Sequence, residues 1–276
     1  MIPPKIFGLV GYPVEHSLSP RMHNAAFKAL KINAAYRLFS LKEDELKVFF
    51  AGLKKNNIFG LNVTIPYKEK VMAFLDKISP EAKLIGAVNT VKVNQGSLEG
   101  FNTDGEGFLR HIKLSLGFNP KGKSIAIIGA GGASRAVGIY LSKEKPKRIS
   151  FFDSDVAKAG NLVKHLKECF SAIEFRQSCS IEGLGIETSD LLINASPIGM
   201  KEADSCLVKE GFTRKKPLVY DLIYNPPETK LLKLAKSKGC VVSNGLGMLL
   251  YQGALAFKHW TGKEAPVEVM REALKL

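Results

Sequence analysis

The chain has 276 residues, of which 45% are hydrophobic and 24% charged, as is typical of a globular protein with one large or two ordinary domains. Its formal net charge is +14, but the lysines are spread along the whole chain rather than gathered in one block. This distribution disfavours specific nucleic-acid binding and favours a general attraction for anionic ligands. No apolar run reaches the ~18 residues that indicate a membrane span.

The cysteines indicate a reducing compartment. Cys169, Cys179, Cys206 and Cys240 are widely spaced, form no CxxC pair and are accompanied by no histidine cluster. This pattern favours buried thiols over disulfides or a zinc site. The N-terminus leads directly into a predicted strand and lacks the zones of a secretion signal. We therefore expect a cytoplasmic monomer or homodimer that binds a small molecule and requires no metal, nucleic acid or membrane.

The first hundred residues alternate strands and helices. Apolar patterning predicts strands over 6–10, 36–40, 60–64, 87–93 and 97–101, and helices over 21–30, 44–55, 68–75 and 105–116. The sequence Asn94-Gln95-Gly96 is typical of a hairpin turn and joins the last two strands. The pattern predicts a mostly parallel sheet with one antiparallel edge hairpin, covered by helices.

A second α/β set follows a turn at 117–122. It has predicted strands over 124–128, 148–152, 191–194, 218–221 and 241–242, and a helix over 157–168. The tail is helical, over 248–260 and 267–274, and has no strand left to pair, so we expect it to return to the first domain. The fold class is therefore α/β with two domains, residues 1–104 plus 243–276 and residues 105–242.

A glycine-rich loop predicts a dinucleotide site in the second domain. The strand over 124–128 leads directly into a loop and then a helix, and the loop is Gly129-Ala130-Gly131-Gly132-Ala133-Ser134-Arg135. Glycines let the backbone turn tightly and approach a pyrophosphate, whose charge the helix N-terminus favours. Over a hundred residues precede this loop. We expect them to form the domain that holds the molecule on which the cofactor acts.

Polar residues follow two strands of the first domain. Ser17 and Ser19 are two residues apart in a non-helical loop, so both hydroxyls can face one polar ligand. Capping of the next helix by Ser19, directly before Pro20, is the simpler alternative. Asn62 and Thr64 share one face of another strand end.

Lys68 and Asp104 are the candidates for proton transfer. Lys68 is predicted in the first turn of a helix, where the helix dipole disfavours a cation and so favours release of its proton. A solvated lysine, like nearby Lys70, is the plainer alternative. Asn89 and Asp104 flank the predicted hairpin. Asp104 either caps the helix that follows or orients Lys68 and shares a proton with it.

Later segments supply further candidates. Asn194 and Ser196 follow one predicted strand and Tyr224 follows another, so they lie at the same sheet edge as the glycine loop. Met248 and Gln252 are one helical turn apart and share a face. Packing in the core is the alternative role for Met248. Gln252 would contact the substrate through its polar side chain if the helix face that it shares with Met248 is turned toward the cleft.

Together these segments resemble the shikimate dehydrogenase family, in the family's order and over nearly the full length. The resemblance implies a Rossmann-type NAD(P)-binding domain and a substrate domain. It also implies the interconversion of 3-dehydroshikimate and shikimate in aromatic amino-acid biosynthesis, with Lys68 and Asp104 as the catalytic pair. The other implied substrate contacts are Ser17, Ser19, Asn62, Thr64, Asn89, Tyr224 and Gln252. The expected cofactor contacts are Gly129, Ala130, Gly131, Gly132, Ala133, Ser134, Arg135, Asp153, Lys158, Asn194, Ser196, Gly245 and Met248.

One segment departs from the family's NADP-using pattern, which resembles Asn-Arg-Thr with a second arginine four residues after the first. Here the sequence is Asp153-Ser154-Asp155, and Lys158 stands at the later position. An acid at this strand end accepts hydrogen bonds from the adenosine ribose. Two carboxylates here would repel the 2′-phosphate of NADP, and the positive charges of Arg135 and Lys158 would offset part of that repulsion. NADP use follows from the resemblance, whereas Asp153 indicates a preference for NAD or use of both cofactors.

Two alternatives remain open at this stage. One is an NAD-dependent quinate/shikimate dehydrogenase of broader specificity, although Ser19 favours shikimate because quinate-using relatives tend to have threonine there. The other is a non-catalytic sensor that binds a dinucleotide or a shikimate-like ligand. The presence of both Lys68 and Asp104 argues against the sensor.

Overall fold

The computed structural model describes residues 3–209 and 215–276. The chain divides into two compact units, Met1–Phe108 with Leu249–Leu276 and Leu109–Met248. Each unit holds one six-stranded sheet with helices, so the predicted α/β class is confirmed. Among the described residues, no helix combines the length and the apolar character needed to cross a bilayer.

The first unit is built on a mixed sheet. Its strands are β1 (Lys5–Gly11), β2 (Ala34–Ser40), β3 (Ile58–Val63), β4 (Lys77–Ile78), β5 (Thr90–Asn94) and β6 (Ser97–Phe101). They lie in the order β2-β1-β3-β5-β6-β4. Strands β1, β2 and β3 are parallel, so their carboxyl ends lie at the same sheet edge. The helices of this part of the chain are α1 (Ser19–Ala29), α2 (Leu46–Ala51), α3 (Pro80–Ile85) and α4 (Asp104–Leu114).

The hairpin β5–β6 is antiparallel, as predicted, but it does not form the edge of the sheet. Asn94 pairs with Ser97 across the turn, where Gln95 and Gly96 both have positive φ angles, of 50° and 90°. Strand β5 is also antiparallel to β3, and the short strand β4 pairs outside β6. Strand β4 was not predicted because two residues carry no periodic pattern.

The second unit has a parallel sheet. Its strands are β7 (Ser124–Ile128), β8 (Arg148–Phe152), β9 (Glu174–Gln177), β10 (Leu191–Asn194), β11 (Leu218–Asp221) and β12 (Val242–Ser243). Their order is β12-β11-β10-β7-β8-β9, and all five neighbouring pairs are parallel. The helices are α5 (Gly132–Lys143), α6 (Val156–Cys169) and α7 (Lys230–Ser237). This is the dinucleotide-binding strand order, in which the chain reverses direction across the sheet between β7 and β10.

The C-terminal tail belongs to the first unit, which confirms the predicted return. Helix α8 (Leu246–Thr261) begins in the second unit, and its later turns pack in the first. Trp260 of α8 donates from Nε1 to the carbonyl of Val91 at 2.9 Å. Helix α9 (Val267–Leu274) packs against α1. Buried residues from β1, α1, α8 and α9 form one apolar cluster.

His23 lies inside this apolar cluster. Its ring is stacked on that of Tyr36, with centroids 4.5 Å apart, and lies 5.2 Å from the ring of Trp260. The side chain is fully buried, and neither ring nitrogen has a hydrogen-bond partner among the described residues. Burial lowers the pKa of His23 to about 3, so the imidazole is neutral in the folded protein.

The neutral state of His23 predicts a pH-dependent stability. Below pH 6.5 the unfolded chain binds a proton that the folded protein excludes, so the contribution of His23 to stability is lost as pH falls toward 3. The free energy of unfolding of the unsubstituted protein, relative to that of His23→Leu, should fall by about 1.4 kcal/mol per pH unit between pH 6 and 4. Urea unfolding at several pH values measures this difference. Two curves that run parallel would contradict the neutral, buried state.

Candidate functional site

Lys68 and Asp104 form an ion pair in the first unit. Lys68 Nζ lies 2.6 Å from Asp104 Oδ2, and the two side chains are 15% and 7% exposed. Asp104 is the first residue of α4, and Lys68 lies in the turn after β3. A short, mostly buried pair of this kind holds an ammonium and a carboxylate in one geometry. The predicted association of these two residues is therefore present in the structure.

The local structure around Lys68 differs from the prediction. Lys68 lies in a turn, and a short 3-10 helix, Lys70–Phe74, begins two residues later. The carbonyl of Lys68 accepts a hydrogen bond from the Val88 amide at 2.7 Å. This bond holds the backbone of Lys68 against the segment that precedes β5. The argument from a helix dipole is therefore wrong, and the charge facing Lys68 is that of Asp104.

Asn89 connects the ion pair to the rest of the site. Its Nδ2 donates to Asp104 Oδ1 at 2.8 Å and to Gln252 Oε1 at 3.4 Å. Its Oδ1 accepts the backbone N–H of Thr103 at 2.8 Å. Because that backbone group can only donate, it determines which end of the Asn89 amide is the oxygen. Asn89 is 2% exposed, so its hydrogen bonds are shielded from water.

Gln252 reaches this site through close packing of α4 and α8. A Cβ added at Gly107 of α4 would lie 2.5 Å from the backbone nitrogen of Gln252. Only glycine allows this approach. The amide of Gln252 is 7% exposed and donates to the carbonyl of Leu249 at 3.0 Å. Its Oε1 faces Asn89.

Asn62 extends the same buried network. Its Nδ2 lies 3.3 Å from both the carbonyl of Asn89 and Oγ1 of Thr90, and its Oδ1 accepts the Tyr36 hydroxyl at 2.8 Å. Tyr36, Thr90 and Thr103 were not predicted. Thr90 directly follows Asn89 and Thr103 directly precedes Asp104, and this adjacency is a usable signal, whereas Tyr36 lies inside a strand with an ordinary apolar pattern.

Ser17, Ser19 and Thr64 lie in segments that follow β1 and β3 at the same sheet edge. Leu18 occupies the N-cap of α1, and the helix begins at Ser19 itself. The Ser17 hydroxyl accepts the backbone N–H of Ser19 at 3.2 Å, so Ser17 holds this turn. The capping role considered for Ser19 is therefore wrong. The Ser19 residue is nevertheless buried, with 3% of its surface exposed.

The glycine loop of the second unit has a fixed shape. Gly129 has φ +105°, and a Cβ there would lie 2.8 Å from the carbonyl carbon of Ala195 in the loop after β10. The Ser134 hydroxyl donates to the carbonyl of Gly129 at 2.6 Å and is fully buried. Asp153 accepts the Ala130 amide at 2.7 Å. The loop therefore lies where the carboxyl ends of β7, β8 and β10 meet.

Gly131 leaves space where a pyrophosphate is expected. It occupies the N-cap of α5, and a Cβ built there meets no heavy atom of the described residues within 4 Å. The loop therefore presents open space at a helix N-terminus, next to backbone that favours an anion. These residues fit a dinucleotide phosphate.

The acids near the loop also shape the backbone. Asp153 Oδ1 accepts the Asp155 amide at 2.9 Å, and Asp155 Oδ1 accepts the amides of Ala157 and Lys158 as the N-cap of α6. Lys158 Nζ lies 3.6 Å from Asp155 Oδ2. The positive charge of Lys158 is thus partly countered within the chain.

Asn194 and Asp221 join the loops that follow β10 and β11. Asn194 is fully buried; its Oδ1 accepts the amide and hydroxyl of Ser196, and its Nδ2 donates to the carbonyl of Ile198 and to Asp221 Oδ1. Asp221 also accepts hydrogen bonds from the Ile223 amide and the Thr229 hydroxyl. Burial outweighs these bonds and raises the pKa of Asp221 to about 6.

Gly245 and Met248 lie at the start of α8. A Cβ at Gly245 would lie 2.1 Å from the carbonyl oxygen of Leu222, so this turn packs tightly on the loop after β11. Met248 is 8% exposed, and Tyr224 is half-buried. In the described part of the chain, His, Cys, Asp and Glu form no group suited to a metal ion. The four cysteines are free thiols, but the prediction that they are buried holds for Cys240 alone, because Cys169 and Cys179 are exposed and Cys206 is partly buried.

Family models match both ends of the chain. Residues 9–91 match the shikimate dehydrogenase substrate binding domain, and residues 245–275 match the shikimate 5′-dehydrogenase C-terminal domain. A protein of Methanopyrus kandleri, named shikimate dehydrogenase (NADP(+)), is 47% identical over 275 residues, which cover 98% of this chain and 94% of that protein. The chain belongs to the shikimate dehydrogenase family.

Solved shikimate dehydrogenases have the same fold. One, in complex with NADP+, is 43% identical with a TM-score of 0.88, over 99% of this chain and 95% of that one. Shikimate 5-dehydrogenase from Listeria monocytogenes, in complex with shikimate and NAD, is 37% identical with a TM-score of 0.88, over 98% and 96% of the two chains. These structures bind different cofactors, so family membership alone leaves the choice between NAD and NADP open.

The two glycines of the loop should respond differently to substitution. Gly131→Ala adds a methyl group to open space, so the melting temperature should stay close to that of the parent while the dissociation constant for NADPH rises at least about tenfold. Gly129→Ala should instead destabilise the fold by about 1–3 kcal/mol because of its positive φ and the contact with Ala195. Fluorescence titration and thermal unfolding measure both effects. Normal NADPH binding by Gly131→Ala would exclude this loop as the phosphate site.

Proposed function

We propose that this chain catalyses the reversible NAD(P)-dependent reduction of 3-dehydroshikimate to shikimate. The observation that carries this proposal is the partly shielded Lys68–Asp104 ion pair, with Asn89 and Gln252 beside it, in a chain of this family. The first unit would act as the substrate domain and the second as the dinucleotide domain. Their proposed limits remain residues 1–104 with 243–276, and residues 105–242.

Lys68 would act as the general acid in the reducing direction. Its ammonium would donate a proton to the oxygen of the reacting carbon, and Asp104, 2.6 Å away, would hold the ammonium in place. A nicotinamide bound to the second unit would supply the hydride. In the oxidising direction the neutral Lys68 amine would accept the hydroxyl proton.

The remaining polar side chains would bind and orient the substrate. Asn62, Thr64, Asn89 and Gln252 would hold the ring hydroxyls. Ser17 and Ser19 would bind the carboxylate, with help from Tyr224. Asn62, Asn89 and Gln252 are buried and held by other protein groups, so they offer fixed rather than mobile partners to a ligand.

On the cofactor side, the loop from Gly129 to Arg135 would hold the pyrophosphate. Gly245 and Met248 would lie beside the nicotinamide. Asn194 and Ser196 would also lie on the cofactor side, where Asn194 Oδ1 accepts the amide and the hydroxyl of Ser196. The free thiols support the cytoplasm as the proposed location. A monomer or homodimer is the proposed assembly.

Removal of the Lys68 amine should affect turnover more than binding. Lys68→Ala should lower kcat by about 10²–10⁴, the range for a lost general acid, with a smaller change in KM for shikimate. Lys70→Ala is the matched control, because Lys70 is exposed and pairs with Glu43 outside the network. Steady-state assays with shikimate measure both variants. If Lys68→Ala weakens binding but keeps its turnover, Lys68 is not the general acid.

The segment Asp153–Asp155 should allow efficient use of NAD. A two-by-two comparison of kcat/KM, with NAD or NADP and shikimate or quinate, tests this. We expect NAD to be preferred, or both cofactors to be used, and shikimate to be preferred to quinate. A hundredfold preference for NADP would refute the role of Asp153.

A charge variant sharpens the same test. Asp155 caps α6 through Oδ1 alone, so Asp155→Asn removes the charge while an amide oxygen can keep the cap. This variant should shift the kcat/KM ratio several-fold toward NADP, because less negative charge faces a 2′-phosphate. Binding of both ligands with no turnover under any condition would favour the non-catalytic sensor instead.

A further inference from the structure

We infer that Tyr36 is a positioning residue of the reaction, and that it acts through a one-directional chain of hydrogen bonds that ends at the Lys68–Asp104 pair. The inference rests on the proposed function. Tyr36 lies in β2, at the edge of the first sheet, and touches neither member of the pair in the described contacts. Its influence must therefore pass through other side chains.

The chain has four links in one direction, from Tyr36 to Asp104, and a fifth bond from Lys68 meets it there. The Tyr36 hydroxyl donates to Asn62 Oδ1 at 2.8 Å, and Asn62 Nδ2 donates to Thr90 Oγ1 at 3.3 Å. The Thr90 hydroxyl donates to Asn89 Oδ1 at 2.9 Å, and Asn89 Nδ2 donates to Asp104 Oδ1 at 2.8 Å. Asp104 Oδ2 then accepts from Lys68 Nζ.

Two backbone groups fix the direction of this chain. The carbonyl of Asn89 can only accept, so the end of the Asn62 amide that faces it at 3.3 Å must be Nδ2, and Oδ1 must face Tyr36. The backbone N–H of Thr103 can only donate, so the Asn89 atom that faces it must be Oδ1. Tyr36 is therefore required as a donor, because Asn62 Oδ1 is an acceptor.

Tyr36 is itself held firmly. The side-chain amide of Asn24 bonds to both backbone groups of Tyr36, accepting its N–H at 2.8 Å and donating to its carbonyl at 3.2 Å. The ring is stacked on neutral His23, and the residue is 3% exposed. Bonds aligned in one direction strengthen each other, and a buried acceptor that loses its donor is costly. The phenol thus satisfies Asn62 Oδ1 in the orientation that the Asn89 carbonyl requires, and through Thr90 it supports the orientation of the Asn89 amide.

Tyr36→Phe removes the first donor without leaving a cavity. We expect kcat/KM for shikimate to fall about three- to tenfold while KM for NADP stays within about twofold, since the cofactor loop belongs to the other unit. Tyr67→Phe is the matched control, because Tyr67 is equally buried and donates to the carbonyl of Leu41 at 2.7 Å, outside the chain. It should lower the melting temperature by a similar amount and keep kcat/KM within about twofold.

A double-mutant cycle tests whether the effect follows this route. Thr90→Val is close in shape to threonine and removes the hydroxyl that joins the Asn62 and Asn89 side chains, while Asn62 Nδ2 keeps the Asn89 carbonyl as an acceptor. If the route is correct, adding Tyr36→Phe to Thr90→Val should change kcat/KM by less than about twofold. If the unsubstituted enzyme is active, either of two results would overturn the inference. One is that the effects of Tyr36→Phe and Thr90→Val on kcat/KM are fully additive, and the other is that Tyr36→Phe has the same kcat/KM as Tyr67→Phe. A parent that does not turn over shikimate would instead overturn the proposed function, and this inference with it.

Discussion

The arrangement of the first unit depends on the hydrogen bonds of one buried amide. Asn89 contacts the carboxylate of Asp104, the amide of Gln252 and the backbone of Thr103, which come from the start of α4, from α8 and from the end of the hairpin. A buried polar group that loses its hydrogen-bond partner lowers the stability of the fold by about 1–3 kcal/mol. The Asn89 amide can therefore turn or shift only at the cost of all of these hydrogen bonds. Chain segments far apart in sequence are thereby held at one place, beside the Lys68–Asp104 ion pair.

The two units use different chemistry to prepare for a ligand. In the first unit, buried side chains have their polar atoms fixed by one another, which suits a small molecule whose hydroxyl groups must be distinguished. In the second unit, the glycine loop offers backbone and space, and the side chains of Ser134 and Asp153 hold the loop itself. A pyrophosphate is the same in NAD and NADP, so shape and backbone suffice for it, and we propose that the residues after β8 discriminate between the two cofactors.

Much of this architecture was predictable because it depends on local pattern. Buried parallel strands, the hairpin turn and the glycine loop each have short-range signals, and the last helices had no strand left to pair. The turn at Lys68 was not predictable, since its carbonyl is bound by Val88 twenty residues later. Strand β9 has only one buried residue in four and was missed. Tyr36 acts through Asn62, and such tertiary contacts leave no mark on sequence spacing.

Two buried titratable groups, Asp221 and His23, have opposite effects on stability. The pKa of Asp221 is raised to about 6 by burial, so the folded state retains a proton and the contribution of Asp221 is lost as pH rises from about 4 to 6. The pKa of His23 is lowered to about 3, so its contribution is lost as pH falls through the same range. Each slope approaches about 1.4 kcal/mol per pH unit, and over most of this interval the two largely cancel. Asp221 therefore holds the loops after β10 and β11 from a buried position, and His23 in the other unit contributes a pH dependence of the opposite sign.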